Sequence, residues 1–249
     1  MGSVSKAPAT NSTERCATGC SAPLNSRLPN AVLKHGSYGR TYRPGASAPT
    51  PLPALFPPPN TEPVRVARVR GHAFLSVLES VQALRGSSAS AAVVACLTPA
   101  FEASLRTGHV RAEEWYPIER YRELLAAIVS VTGEDTIMHA IGVECSRSDL
   151  SGMYKFFGRL LRPQTLFSGA MRLFKSYYDT GEVWVVAASN GAAHALWKEC
   201  HGFDENMWLE VLGSCTAILE VGGARRVELR VVNGGKRLDA HMELKASWS

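Results

Sequence analysis

Residues 182–197 read EVWVVAASNGAAHALW, two apolar runs on either side of Asn190-Gly191. Asn-Gly reaches positive φ at little cost, so it favours the tight turn of a β-hairpin. A similar design returns near the end of the chain. There, residues 227–231 alternate apolar and charged side chains before Asn233-Gly234-Gly235, and the apolar alternation resumes from Leu238 to Trp248. The sequence therefore predicts two hairpins that form a four-stranded antiparallel sheet.

The segment between the two hairpins has the apolar spacing of a helix and stops at Gly222-Gly223. Its apolar stripe consists of Met207, Val211, Leu212, Cys215, Ile218 and Leu219. Each hairpin buries one face only against another element, so helices must supply the opposite layer. The predicted class is α+β, with a helical layer packed on a C-terminal antiparallel sheet of two hairpins separated by a helix.

Proline and glycine mark the predicted elements upstream. Residues 64–71 alternate apolar and basic side chains, which is typical of a short edge strand. After a first helix, a polar break at residues 87–90 precedes a second helical stretch that Pro99 interrupts. Pro117 suits the first position of a helix that ends at Thr132-Gly133.

Three further helices are predicted before the first hairpin. One covers residues 135–143, and Ser148 or Asp149 caps the next. Pro163 begins the third, which Gly181 closes.

Composition separates a tail from a body near residue 63. Residues 1–63 contain eleven of the fourteen prolines and many Ser, Thr, Asn and Ala residues. Such a stretch buries too little apolar surface to offset its ordering entropy, so we expect it to be disordered. Residues 64–249 are long enough for one α+β domain, and residues 64–115 are a candidate N-terminal helical lobe within it.

Charge argues against nucleic-acid binding by the body. Residues 1–63 hold six Lys or Arg and two Asp or Glu, whereas residues 64–249 hold twenty-one and twenty. The basic excess therefore belongs to the tail, and we expect no nucleic-acid partner for the body. The sequence has no run of eighteen apolar residues and no apolar N-terminal region, so we expect a cytoplasmic protein without a membrane span.

Residues able to bind a metal are scattered. Cys16 and Cys20 are spaced as metal ligands, but no second pair of cysteines or histidines with such spacing accompanies them. A second set of possible ligands lies near the end of the chain, and its spacing matches no zinc pattern. This set comprises His194, Cys200, His201 and Cys215. We expect no metal site, with His194 on the sheet surface and Cys215 in the core. We also find no nucleophile or phosphate-loop motif and predict no catalytic residue.

Aromatic residues are concentrated between residues 154 and 178. They exceed what one core stripe requires, so two interpretations stay open. They build the core and a dimer face, or they line a pocket for a hydrophobic ligand. On either interpretation the tryptophans add to the binding surface, since large aromatic rings are enriched at interfaces. The candidate ligand- or partner-binding residues are Tyr154, Phe157, Phe167, Phe174, Tyr177, Trp184 and Trp208.

Several short motifs occur in a recognisable order before the closing hairpins. They are Trp115-Tyr116-Pro117, Leu124-Leu125, Gly152-Met153-Tyr154 and Leu161-Arg162-Pro163. This order resembles a paralogous family of uncharacterised bacterial proteins of the myxobacterial type, expanded in fruiting-body-forming soil bacteria. More distantly, residues 121–248 are similar in layout to four-vinyl reductase ligand-binding domains, haem-NO-binding domains and the small TRAPP subunits.

The resemblance implies helices against an antiparallel sheet and a habit of binding small apolar ligands or partner proteins. Two departures limit it. Haem-NO-binding domains use a Tyr-x-Ser-x-Arg motif with an axial histidine, and this chain lacks that motif, so haem is not implied. Four-vinyl reductase domains tend to carry a cysteine in the last hairpin, and this chain has none after Cys215. We therefore predict no cofactor.

We expect a non-enzymatic regulatory or sensory module that binds a small apolar ligand or a protein partner. One alternative is a homodimeric interaction module without a small-molecule ligand. The other is an enzyme whose site the sequence does not reveal.

Overall fold

The structure is a computed structural model. It describes residues 66–157 and 162–249, apart from the side chains of residues 151–157 and 170. The tail proposed for residues 1–63 lies outside this range, and its boundary stays a prediction.

The described residues form eight helices and six strands. The helices are α1 (Gly71–Arg85), α2 (Ser87–Ala95), α3 (Pro99–Arg106), α4 (Ile118–Thr132), α5 (Ile137–Phe157), α6 (Pro163–Met171), α7 (Phe174–Tyr177) and α8 (Glu205–Val221). The strands are β1 (Arg68–Arg70), β2 (Trp115–Pro117), β3 (Glu182–Ser189), β4 (Ala192–Lys198), β5 (Glu228–Gly234) and β6 (Met242–Ser247).

Four of these strands form an antiparallel sheet in the order β3-β4-β6-β5. The turn at Asn190-Gly191 connects β3 to β4 as predicted, and Gly191 has a φ of 87°. The two central strands bury alternate residues against the helices. These residues are Ala193, Ala195 and Trp197 of β4 and Met242, Leu244 and Ala246 of β6. The predicted α+β class is confirmed.

The second hairpin has a longer connection than predicted. Asn233 and Gly234 belong to β5, and β6 begins only at Met242, so the Asn-Gly pair forms no two-residue turn. The loop is closed instead by the Gly235 N–H, which donates to the His241 carbonyl at 2.9 Å. Leu238, predicted to continue the apolar alternation, is 64% exposed in this loop.

Two boundaries near the start of the body also differ from the prediction. Residues 115–117 form β2, and α4 begins at Ile118 after Pro117. β2 pairs with β1 in a separate two-stranded sheet, so β1 is not an edge of the main sheet. The Arg70 guanidinium lies 4.2 Å from the centre of the Trp115 ring, a cation–π contact that holds this pairing.

Helix α5 is continuous where two helices were predicted. Asp149 lies inside this helix and therefore caps none, and its carboxylate accepts a hydrogen bond from the Tyr177 hydroxyl at 2.9 Å. Residues 87–90 lie in α2, and only Gly86 breaks the chain before them. The single helix predicted after Pro163 is divided into α6 and α7.

Helix α8 ends before Gly222-Gly223 as predicted and packs closely on α5. Asp204 caps its first turn by accepting from the Met207 N–H at 3.1 Å. A side chain on Gly142 of α5 would overlap the Glu210 carbonyl, and one on Gly213 of α8 would overlap the His139 carbonyl. The two glycines therefore permit the close approach of these helices.

Within the described residues, no single helix has the length and apolar character to cross a membrane. Helix α4 and residues 137–150 are long and apolar enough only when they are taken together, and the two segments meet at a bend of 118°.

We predict that Gly142→Ala lowers the free energy of unfolding by about 2 kcal/mol or more, because a rigid backbone carbonyl occupies the space of the new methyl group. Gly169→Ala on α6 is the control. A Cβ there meets nothing within 4 Å, so the substitution should raise stability by about 0.5–1 kcal/mol. Urea denaturation measures both variants, and equal effects at the two positions would contradict the close helix contact.

Candidate functional site

The described residues line a partly open cavity of about 130 Å³. Its wall comes from α1, α5, α8, residues 171–178 and Trp197 of β4. Most of the wall is apolar or aromatic, with a few polar groups among these residues. This composition is typical of small-molecule sites.

Glu210 of α8 is the most unusual residue of the cavity wall. It is 7% exposed, and its Oε1 accepts a hydrogen bond from the Tyr121 hydroxyl of α4 at 2.6 Å. Its Oε2 is buried without a hydrogen-bond partner among the described residues. Leaving a carboxyl oxygen unsatisfied in the interior is costly, so a group retained in this state is a candidate for function.

Burial raises the pKa of Glu210 to about 7, and the charge of Asp204 adds to this effect. The hydrogen bond from Tyr121 acts in the opposite direction but does not cancel the cost of removing the carboxylate from water. Glu210 therefore exchanges a proton near neutral pH.

The thiols and phenols around Glu210 remain neutral at that pH. Burial raises the pKa of Cys145 and of Cys215 to about 12. Burial also raises the pKa of Tyr121 and of Tyr178 well above its usual value, and the Glu210 charge adds to both shifts. Among these groups, only the Glu210 carboxyl changes charge near neutral pH.

Asp149 contributes the second carboxylate of the cavity wall. One of its oxygens accepts the Tyr177 hydroxyl at 2.9 Å, and the other lies 3.2 Å from His72 Nε2. The His72 and Tyr177 rings are 5.8 Å apart. Asp149 is therefore held by two neighbours, unlike the free oxygen of Glu210.

The aromatic part of the wall is fixed by packing behind it. The rings of Phe174 and Tyr178 are 4.8 Å apart, and Phe203 lies 4.9 Å behind Tyr178. Tyr178 also forms a backbone bridge to Val69 of β1. The Asp179 N–H donates to the Arg68 carbonyl at 3.1 Å, which ties this wall to the first described strand.

Two of the seven proposed binding residues, Phe174 and Tyr177, line this cavity. Phe167 and Trp208 lie in the hydrophobic core with exposures of 0% and 1%. Trp184 is 57% exposed on β3. The side chains of Tyr154 and Phe157 on α5 lie outside the described residues. The binding role of all seven stays a prediction.

Sequence reasoning missed Glu210. The sequence did contain a signal. Glu210 lies next to Val211 on the apolar side of α8, where a side chain faces the core. Tyr121 lies among the buried apolar residues of α4, and its local pattern indicates only a core position. The hydrogen bond between the two residues joins helices 89 positions apart, which no local pattern encodes.

Two further histidines have side-chain partners on neighbouring elements. His194 Nε2 lies 2.9 Å from a Glu243 oxygen on the neighbouring strand, and His139 Nε2 lies 3.3 Å from the Thr216 hydroxyl. In the part of the chain that the structure describes, no group of three or more His, Cys, Asp or Glu residues is arranged to hold a metal ion.

Solved structures with a similar fold include H-NOX domains. A mutant of the Fe(II) unliganded H-NOX protein from K. algicida has a TM-score of 0.55 at 12% identity, covering 72% of this chain and 96% of that one. The Fe(II) unliganded H-NOX protein from K. algicida has a TM-score of 0.51 at 10% identity, covering 72% and 96%. An oxygen-binding H-NOX domain related to soluble guanylate cyclases has a TM-score of 0.51 at 12% identity, covering 72% and 95%.

At these identities the similarity shows the fold alone. No protein-family model matches this chain, and no curated protein matches it.

The cavity residues do not fit haem. The described wall contains no histidine, lysine or arginine, so it offers neither an imidazole for iron nor a cation for the propionates. The sequence has no histidine between His139 and His194, which includes α6 and α7. Tyr177 could supply only a phenol, because burial raises its pKa above the usual value and the Asp149 charge adds to the shift. The cavity is also smaller than the roughly 300–1,000 Å³ of most ligand pockets.

We predict that Glu210 makes the protein less stable as pH rises. Its pKa is about 7 in the folded state against 4.5 for an ordinary glutamate, so between these values the folded state holds a proton that the unfolded state has lost. Its favourable contribution is complete below pH 4.5 and is lost through pH 7, a change of about 3 kcal/mol. As pH rises from 4.5 to 7, the unfolding free energy of Glu210→Gln should therefore increase by about 3 kcal/mol relative to that of wild type.

Urea denaturation at a series of pH values measures this difference, in which the other titrating groups cancel. Glu79→Gln, at an exposed position of α1, serves as the control and should keep a nearly constant difference from wild type. If the difference between Glu210→Gln and wild type does not change between pH 4.5 and pH 7, the pKa of Glu210 is not raised in the folded state.

Proposed function

We propose that the chain is a non-enzymatic sensory module that binds a small, mainly apolar molecule in the cavity beside Glu210. The observation that carries this proposal is a predominantly apolar and aromatic cavity wall with two unsatisfied polar atoms, Glu210 Oε2 and Trp197 Nε1. Such a wall binds through apolar contact, and its few polar groups orient the ligand. The fold shared with oxygen-binding H-NOX domains supports a ligand-binding role.

Binding is favoured over catalysis by the state of the nucleophiles. Cys145 and Cys215 remain thiols at neutral pH, and a thiol is a poor nucleophile. The described cavity wall also contains no histidine to act as their base. Glu210 can accept or donate a proton, but no nucleophile is positioned beside it for a reaction among the described wall residues.

A cytoplasmic location is part of the proposal. Four cysteines of the described residues are free, and three of them are buried: Cys145, Cys200 and Cys215. Free buried thiols suit a reducing compartment.

We predict that benzene binds saturably to the full chain and raises its Tm. An apolar cavity of about 150 Å³ is sufficient for benzene, which is close to the volume here. At a concentration 100 times the Kd, the stabilisation should be about 2.7 kcal/mol, or several degrees in Tm. Val211→Phe fills the cavity from α8 and should remove this shift, whereas Val211→Ala should retain it.

Val232→Phe is the matched control, because it makes the same change at a position that is 44% exposed on β5. It should bind benzene as wild type does. An unchanged benzene response in Val211→Phe would place any binding outside this cavity.

A second candidate function is a homodimeric interaction module, and the strand β3 favours it. Trp184 and Val186 are 57% and 56% exposed on this strand, which lies at one edge of the main sheet. Apolar side chains along an unpaired edge are typical of strand-pairing interfaces.

On this second candidate, the full chain should sediment as a dimer at high concentration, and Trp184→Lys should return it to a monomer. Val232→Lys, on the opposite edge strand, should leave the dimer intact. A monomer at all concentrations would remove this candidate.

A further inference from the structure

We infer that the ligand of the cavity is a small organic ammonium ion that carries at least one N–H, bound between the Glu210 carboxylate and the surrounding aromatic rings. This inference rests on the proposed function and specifies its ligand class. Four features of the wall support it: an unsatisfied acceptor, its net charge, its aromatic rings and its size.

The unsatisfied acceptor is Glu210 Oε2. With Oε1 already bonded to Tyr121, the second oxygen needs a donor that the described residues do not supply. An ammonium N–H satisfies it with a charge-assisted hydrogen bond, about twice as strong as a neutral one. The ligand charge also compensates the buried carboxylate, which a neutral donor cannot do.

The net charge of the described wall is negative. It contains Asp149 and Glu210 and no lysine, arginine or histidine. His72 lies next to Asp149 on the side of Tyr177 and is not part of the wall itself. An anionic ligand would meet two carboxylates and no cation, whereas an ammonium ion has a favourable partner.

Aromatic rings supply the second attraction for a cation. Phe174, Tyr177, Tyr178 and Trp197 all line the cavity. The negative face of an aromatic ring attracts an ammonium ion, and the gain increases when water is excluded. The rings of Phe174 and Tyr178 are held by Phe203 behind them, so they need little rearrangement to receive a ligand.

The volume of the cavity suits a ligand, or a part of one, of a few heavy atoms. A cavity of about 130 Å³ is slightly smaller than one that accepts benzene. A four-carbon alkylammonium is therefore a suitable probe. It stays protonated through neutral pH, since a lysine side chain has a pKa of about 10.4.

Ionisation of Glu210 should control the affinity for such a cation. The titratable groups around Glu210 are Tyr121 on α4, Cys145 and Asp149 on α5, Tyr177 and Tyr178 at α7, and Asp204 and Cys215 at α8. The phenols and thiols are neutral throughout this range. The carboxylate fraction of Glu210 rises about tenfold between pH 6 and pH 8, and the affinity for an ammonium ion rises with it.

The test compares n-butylammonium with its neutral counterpart n-butanol by calorimetry on the full chain. At pH 8 we expect n-butylammonium to bind at least about tenfold more tightly than n-butanol. Its affinity should fall about tenfold at pH 6, whereas that of n-butanol should not. Glu210→Gln should remove the preference, and Glu205→Gln, at an exposed position of the same helix, should keep it.

The outcomes separate the two proposals. If n-butanol binds as tightly as n-butylammonium, the ammonium inference is wrong and the proposed function stands. If neither these probes nor benzene binds, both are wrong. If tetramethylammonium, which has no N–H, binds as tightly as n-butylammonium, the requirement for an N–H donor is wrong. The pH profile of the wild-type protein decides the role of Glu210 even if Glu210→Gln does not fold.

Discussion

The contact between α5 and α8 is the constraint on which the rest of the structure depends. Gly142 and Gly213 omit the side chains that would hold these helices apart, so each helix backbone packs directly against the other. This approach brings the Glu210 side of α8 toward α4 and α5. There, the hydrogen bond from Tyr121 fixes the carboxyl group, and Cys145 and Asp149 complete the neighbouring wall.

The buried carboxyl group is a local conflict inside an otherwise apolar core. An apolar residue of similar size at position 210 would avoid the desolvation cost that raises the pKa of the carboxyl. Natural proteins accept such costs mainly where a ligand or a reaction compensates them. The same site does not suit haem, because its described wall offers acids and rings where haem needs a base and cations.

Local patterns were sufficient for the elements whose signals are short in range. The turn at Asn190-Gly191, the end of α4 at Gly133 and the end of α8 at Gly222 all follow from neighbouring residues. β2 was mistaken for a helix start, because its pairing with β1 depends on a contact between Arg70 and Trp115 across the chain. The site was harder still. Phe174 and Tyr177 could be proposed as aromatic residues, but the environment of Glu210 is created only when several distant elements pack together.

The bridge between Tyr178 and Val69 has a mechanical consequence. Tyr178 belongs to the cavity wall, and the adjacent Asp179 binds Arg68 through both its backbone and its carboxylate, at 3.1 Å and 2.7 Å. Tyr178 is therefore fixed to strand β1 through its backbone as well as through its ring contacts. The aromatic side of the cavity is thus braced by residues 68–70, the first strand that the structure describes.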